Sequence, residues 1–338
     1  MSSLEQKINR AWYQNKSWIN ILYPLTLLYC SINWFRKSFY KWGFFKSYQP
    51  QIPVIIIGNI MVGGTGKTPT VLALFQFLKQ SGFNPGIITR GYGGTSRDYP
   101  IVVNDRHLAV EVGDEALMLF RNTNAPVVVS PSRIQSSKKL ESLGCDIIIS
   151  DDGLQHIALK RDIEIVIFDG QRKLGNQKLL PTGPLRENIK RLDQVDFILI
   201  NGEEKISVLQ QWKFKSFRVK IKIDKLIDIA SGNSSDLNKY AHKKVHALVA
   251  IGNPLRFIKT LKSANLEVIP HVFPDHHFYV QDDIPNDKLP IIVTEKDAVK
   301  LEKMGLEDIE YLKIHANFSE SFKFQLLKKL HNHSKVSV

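Results

Sequence analysis

The chain has 338 residues, 43% of them hydrophobic and 23% charged, which is the balance of a folded protein with room for two domains or one large one. Its two cysteines, Cys30 and Cys145, stand in apolar surroundings without metal-ligand spacing, so the chain is not a disulfide scaffold and suits a reducing compartment. A net charge of +13 calls for an anionic partner, whether nucleic acid, anionic lipid or a phosphorylated substrate.

The first predicted element is a basic, aromatic helix within a segment 1–50. Residues 18–45 interleave aliphatic and aromatic side chains with cations. Lys7, Arg10 and Lys16 precede the run, Arg36, Lys37, Lys41 and Lys46 interrupt or follow it, and Glu5 is the lone acid. No small-residue cleavage site follows, so a removed signal peptide is not indicated. A spanning helix needs about 20 mainly apolar residues, and Asn20, Pro24, Thr26, Ser31 and Asn33 dilute this one. The pattern describes a helix lying in the headgroup plane of a membrane. Packing on the protein's own core is the alternative.

Next comes the stretch that organises the chain. The β-branched run Val54-Ile55-Ile56-Ile57 ends in Gly58-Asn59-Ile60-Met61-Val62-Gly63-Gly64-Thr65-Gly66-Lys67-Thr68, and a helical pattern begins at Pro69. Strand, glycine loop and helix together make a phosphate-binding site. Gly63, Gly64, Thr65 and Gly66 let successive backbone N–H groups curl toward an anion, and the helix N-terminus adds partial positive charge. Lys67 reaches the β- and γ-phosphates, and the Thr68 hydroxyl can hold Mg²⁺. Met61 stands where the full pattern has its first glycine.

Strand-like runs follow at Ile87-Ile88-Thr89, Val127-Val128-Val129, Ile147-Ile148-Ile149, 163–167 and 197–200, with helix candidates at 115–121 and 133–143. This alternation reads as an α/β fold of the P-loop NTPase type, a mostly parallel sheet flanked by helices. Ligands bind such sheets beyond the carboxyl ends of the strands, where the unusual polar residues fall. Arg90-Gly91-Tyr92-Gly93 follows one run, and Ser130-Pro131-Ser132-Arg133 another. Asp151 and Asp152 follow a third as candidate Mg²⁺ ligands, with Glu115 as a further carboxylate. Arg133 and Arg186 are candidate clamps for phosphate oxygens. Asp114 is the best candidate to accept the proton of an attacking hydroxyl, although Gly113-Asp114-Glu115 also reads as a helix start with acids in its first turn. The segment 181–187 reads otherwise as a structured loop.

Near residues 212–227 the composition shifts to alternating basic and apolar residues, a half-exposed strand pattern. We place a division here, giving a P-loop domain 51–215 and a smaller α/β domain 216–338. The second part carries a helix candidate at 254–264. His242 and His246 have helical metal-ligand spacing, but with lysines and one valine between them they read as a solvated face. There is no internal repeat or low-complexity tract.

These pieces in order resemble one family, tetraacyldisaccharide 4′-kinase, the lipid A 4′-kinase of Gram-negative bacteria. The resemblance rests on the phosphate loop with Pro69, Thr89-Arg90-Gly91-Tyr92-Gly93, Val112-Gly113-Asp114-Glu115, Asp151-Asp152-Gly153-Leu154-Gln155-His156, Gly183-Pro184-Leu185-Arg186-Glu187, Phe273-Pro274-Asp275-His276-His277 and Val293-Thr294-Glu295-Lys296-Asp297. Met61 is compatible with the family's loop, and Leu154 stands conservatively where phenylalanine is common. The resemblance implies transfer of the ATP γ-phosphate to the 4′-hydroxyl of an acylated glucosamine disaccharide 1-phosphate, yielding the lipid A precursor. It pairs Asp114 with His276, and it implies a peripheral N-terminal helix on the cytoplasmic face of the inner membrane; the chain's positive charge independently suits anionic lipid there.

Two other readings compete. Thr294-Glu295-Lys296-Asp297 looks superficially like the guanine-reading loop of a membrane GTPase switch, but Glu295 intervenes before the lysine. Charge alone suggests a nucleic-acid ATPase, yet the cations are scattered or tied to aromatics and no nucleic-acid motif is present. No nucleic acid is expected as a partner.

Overall fold

The computed structural model describes residues 3–171, 174–202 and 206–334. In chain order the helices α1 (Ser3–Gln14) and α2 (Tyr23–Lys41) lead into β1 (Val54–Gly58), α3 (Lys67–Gln80), β2 (Pro85–Thr89), β3 (Ile101–Val102), α4 (Ala109–Val112), α5 (Asp114–Thr123), β4 (Val127–Val129), α6 (Arg133–Ser142) and β5 (Ile147–Asp151). Then follow β6 (Ile163–Asp169), β7 (Phe197–Asn201), β8 (Ser216–Asp228) and β9 (Ser234–Ser235). The chain continues with β10 (Lys244–Val249), α7 (Pro254–Ser263), β11 (Glu267–Val272), β12 (Ile291–Thr294), α8 (Glu295–Leu301), β13 (Ile309–Phe318) and α9 (Glu320–Ser334).

All the strands join one sheet in the order β11-β10-β12-β13-β8-β7-β6-β1-β5-β2-β4-β3, with β9 on β8. Neighbours are parallel except at β3/β4, β8/β9 and the β13/β8 junction. The mostly parallel P-loop-type sheet expected from the sequence is thus present. Strand β8 carries the chain between its two parallel halves. Residues 216–219 pair with β7, and residues 219–228 pair with β13.

The β1 residues are all buried because helices cover both faces of the sheet. Ile55 and Ile57 pack with Val71, Leu74 and Leu78 of α3, while Val54 and Ile56 join Leu140 of α6 in the opposite core. Beyond β8, Val245, Ala247 and Val249 pack with Phe257 and Leu261 of α7. Helix α9 returns to the first half, where Phe322, Leu326 and Leu330 are buried with Ile163 and Phe197.

His246 departs from the solvated face expected of it. It lies on β10 and is 4% exposed, with Nδ1 2.8 Å from His271 Nε2 and Nε2 2.8 Å from Asp287 Oδ1. The segment is a strand, so a helical spacing to His242 has no meaning there.

Helix α2 is amphipathic with its faces reversed. Thr26, Tyr29, Arg36 and Lys37 face the protein. Thr26 Oγ1 is 2.6 Å from Thr182 Oγ1, and the Tyr29 hydroxyl donates to the Arg186 carbonyl at 2.8 Å. Arg36 donates to the Gln155 carbonyl at 3.2 Å, and Lys37 pairs with Glu187 at 2.6 Å. On the other side Leu25, Leu28, Ile32, Phe35, Phe39 and Trp42, spaced three and four apart, are all exposed. Of the two sequence readings for this segment, packing into the core does not hold for that stripe. Among the described residues no helix is long and apolar enough to cross a membrane.

Candidate active site

A cleft of about 1080 Å³ opens beyond the carboxyl ends of β1, β2, β5, β10 and β12, the place where open α/β sheets bind ligands. The loop after β1 turns through Gly63 at φ +100° and Gly66 at φ +89°, conformations that L side chains rarely adopt. A Cβ on Gly66 would also come within 2.8 Å of the Asn201 amide. The buried Asn59 side chain donates to the Gly63 carbonyl at 3.4 Å and so braces the loop from inside. Met61 is buried and bridges to Leu185, so the position without glycine serves as packing. Gly64, Thr65, Lys67 and Thr68 all line the cleft.

Asp151 ends β5 and Asp152 follows it in a left-handed conformation, φ +47°. Lys67 Nζ is 3.3 Å from Asp152 Oδ1, and Arg186 Nη1 is 3.1 Å from its Oδ2. Burial works to raise the Asp152 pKa, but Lys67 and then Arg186 outweigh it and hold the carboxyl below its ordinary range. Asp151 goes the other way. Burial first, then the Glu115 charge, pushes it up to about 7 against the pull of Lys67. Its Oδ1 is buried without a hydrogen-bond partner. Arg133, 4% exposed, donates from Nη2 to the Asp151 carbonyl at 2.5 Å and leaves Nε and Nη1 unpaired; burial lowers its pKa to about 10. The sequence-predicted loop, acids and two arginines therefore all line this one cleft.

Beside them His276 Nδ1 is 3.0 Å from both oxygens of Asp114. These residues are 162 positions apart, joined because the segment after β11 folds back over α5. His276 adopts φ +62° and packs against the Tyr92 ring at 4.7 Å; strain of this kind persists where surrounding contacts over-determine it. Asp114, 4% exposed, also accepts from the Glu115 N–H at 2.8 Å, so it is both a helix-start acid and a histidine partner. Burial favours its protonation, but the His276 hydrogen bond and then the Lys296 charge outweigh it, and the pKa is lowered. His276 faces the cleft with Asp114 behind it.

Several groups at the site were not singled out by the sequence. Lys296 sits between Glu115 (3.1 Å), Asp275 (3.3 Å) and His276 Nε2 (3.3 Å). Its signal was position, the first turn after a strand of an α/β sheet, obscured by the likeness to a guanine-reading loop. Asp297 explains that likeness differently. Fully buried, it pairs with Lys300 at 2.7 Å and accepts from the Thr294 hydroxyl at 2.7 Å. A base-reading carboxylate must face its base, and this one is spent inside. Gln155 stands in the sequence only as one member of the motif 151–156. It donates to the Asn59 carbonyl at 3.1 Å and to Glu187 at 3.2 Å, tying the phosphate loop to the segment that holds α2. Arg256 reaches from α7 to Asp169 (3.2 Å) and Asn201 (3.1 Å). Arg36, Arg90 and His156 line the cleft near α2. Burial, then Arg133 and Arg90, lowers His156 to about 4, which leaves it neutral.

Comparison with known proteins bears on the chain as a whole. The family model described as tetraacyldisaccharide-1-P 4′-kinase matches residues 18–331. The tetraacyldisaccharide 4′-kinase of Psychromonas ingrahamii is 43% identical over 323 residues, covering 94% of this chain and 98% of that protein. That of Hahella chejuensis is 38% identical over 340 residues, covering 97% and 98%. The crystal structure of the "apo" form of LpxK from Aquifex aeolicus in complex with ATP superposes with a TM-score of 0.76 at 28% identity, over 93% of this chain and 98% of that one. Phosphate loop, acidic pair, histidine–aspartate pair and full-length similarity thus coincide, and the chain belongs to the tetraacyldisaccharide-1-phosphate 4′-kinase family.

Proposed function

We propose that the protein transfers the γ-phosphoryl group of ATP to the 4′-hydroxyl of an acylated glucosamine disaccharide 1-phosphate, at the cytoplasmic face of the inner membrane. The observation that carries this reading is one cleft lined by Lys67, the acidic pair and His276 with Asp114 behind it, and the inward face of α2 bound to its wall. Four acyl chains keep such a substrate in a bilayer, so its kinase must come to the surface. The outward stripe of α2 suits insertion, and Lys41 and Lys46 suit anionic headgroups.

Lys67 and Arg186 hold phosphate oxygens while the curled loop N–H groups surround them. The residues present fit Mg²⁺. Asp151 offers a buried, unpartnered oxygen, and Asp152 and Thr68 supply further hard donors. Among the described residues no three side chains already form a metal cage; Mg²⁺ takes one or two carboxylates and fills the rest with phosphate and water. When bound, the ion neutralises charge on the transferring group. Glu115 is engaged by Lys296 and reaches Asp151 through its charge. Arg36, Arg90 and neutral His156 form a basic, hydrogen-bonding wall for the sugar phosphate. The attacking hydroxyl loses its proton to the Asp114–His276 pair as the new O–P bond forms and ADP departs with the bridging oxygen's electron pair.

Labelled ATP offered with a panel of phospholipids and glycolipid precursors tests the reading. Label should appear in the acylated disaccharide phosphate, with ATP preferred over GTP in competition. Label in no lipid, or hydrolysis that favours GTP, defeats it.

A further inference from the structure

Lys296 lies outside the set used so far, yet its side chain, 14% exposed, meets four groups. Its Nζ is 3.1 Å from Glu115 Oε1, 3.3 Å from Asp275 Oδ1, 3.3 Å from His276 Nε2 and 3.9 Å from Asp114 Oδ2. Burial alone would discharge it, but Glu115, then Asp114 and Asp275, outweigh burial and keep it an ammonium. An ammonium has three donors and no acceptor. The contact at Nε2 is therefore a hydrogen bond only if that nitrogen carries a lone pair. The ring proton then sits on Nδ1, where it meets both oxygens of Asp114 at 3.0 Å. Two neighbours on opposite sides of the ring demand the same tautomer.

We propose that Lys296 is a positioning residue for phosphoryl transfer, fixing His276 with Nδ1–H on Asp114 and Nε2 without a proton, the acceptor for a hydroxyl arriving from the cleft. This rests on the kinase reading above. The groups facing His276 are Asp114 from α5, Asp275 within its own loop with Oδ1 3.8 Å from Nε2, Lys296 from α8 and the Tyr92 ring. Lys300 lies beyond Asp114, 4.0 Å from its Oδ2. With Lys296 in place a second ring proton would point at an ammonium. Without it, Asp114, Asp275 and Glu115 would draw that proton on. In the reaction the substrate hydroxyl takes the Lys296 donor's place at Nε2. Its O–H bond breaks toward the ring, its oxygen bonds to phosphorus, and the β–γ bridging bond breaks onto ADP. Lys296 keeps Glu115 and Asp275 throughout.

The test is ring-¹⁵N NMR of the histidine-labelled full chain without substrate, for the parent, Lys296→Met and Lys296→Arg. The parent ring should carry its proton on Nδ1. Lys296→Met should take up the second proton about one pH unit higher, a roughly tenfold change in neutral fraction, and Lys296→Arg should stay near the parent. Lys296→Met should lower kcat about tenfold or more at neutral pH, with partial recovery as pH rises, while KM for ATP holds within about twofold. Unchanged signals from the other histidines report an intact fold, and Lys296→Gln replaces the methionine variant if that one fails to fold. A parent proton on Nε2, identical titration in parent and Lys296→Met, or a loss confined to KM for ATP overturns the proposal. Failure of the kinase reading shows separately, as a parent that phosphorylates no lipid.

Discussion

Replacing Leu25, Leu28 and Ile32 together by glutamine removes the middle of the outward stripe on α2. These side chains are 52%, 56% and 58% exposed, so the folded monomer gives up little packing, and each exposed substitution should shift stability by no more than about 0.5 kcal/mol. At a bilayer the same exposed area enters the apolar boundary. Full burial of a large aliphatic side chain is worth ~1.5–3 kcal/mol, so half of that for each of three gives roughly 3 kcal/mol. At about 1.4 kcal/mol per decade, membrane partitioning should fall roughly a hundredfold. Sedimentation with anionic vesicles across a salt series measures it, and salt should weaken the parent's binding only in part. Equal sedimentation of parent and triple variant would refute the reasoning. Deleting residues 1–45 is a poorer experiment, because Thr26, Tyr29 and Lys37 support Thr182, Arg186 and Glu187 beside the phosphate loop. Activity lost on deletion would not separate anchoring from that support.

Lys67→Ala should cost orders of magnitude in turnover while circular dichroism stays unchanged, since Lys67 pairs with the half-buried Asp152 and packs in no core; near-parental turnover in a folded variant would sink its role. Asp114→Ala and His276→Ala should each depress kcat far more than ATP affinity, and their combined loss should be less than additive because the two act through one contact. Fully multiplicative losses would break the pair. Asp151 binds its proton more tightly folded (about 7) than unfolded (about 3.9), so the folded state holds more protons between those values and stability falls as pH rises through that window. Asp151→Asn should therefore raise Tm relative to the parent at pH 8 and gain little at pH 4, read by thermal melts; an equal gain at both would contradict the buried, raised carboxyl.

What the sequence disclosed and what it hid divide along one physical line. The phosphate loop is legible because its chemistry is local: three glycines, a lysine and a threonine do their work within a few residues of one another, and the strand and helix around them are set by short-range patterning. The continuous run of β1 likewise announces a strand covered on both faces. Lys296 and Gln155 are different. Each acts by reaching across the fold, Lys296 to a carboxylate 181 residues earlier and Gln155 to a carbonyl 96 residues earlier. Nothing in their immediate neighbours encodes those partners. His246 shows the same limit from the opposite side, since its neighbours imitate a helical spacing while the pairing of β10 with β11 and β12 buries it. Asp114 lies between the two cases. Its position at a helix start was readable, but its access was not, because the fold sets it behind His276 and leaves the imidazole on the cleft. In the transfer proposed above, the proton of the hydroxyl would then meet the ring before the carboxylate. On that proposal the cation at the ring's outer nitrogen would govern when the base becomes available, and the control would come from α8, across the antiparallel junction from the lobe that holds the phosphate loop.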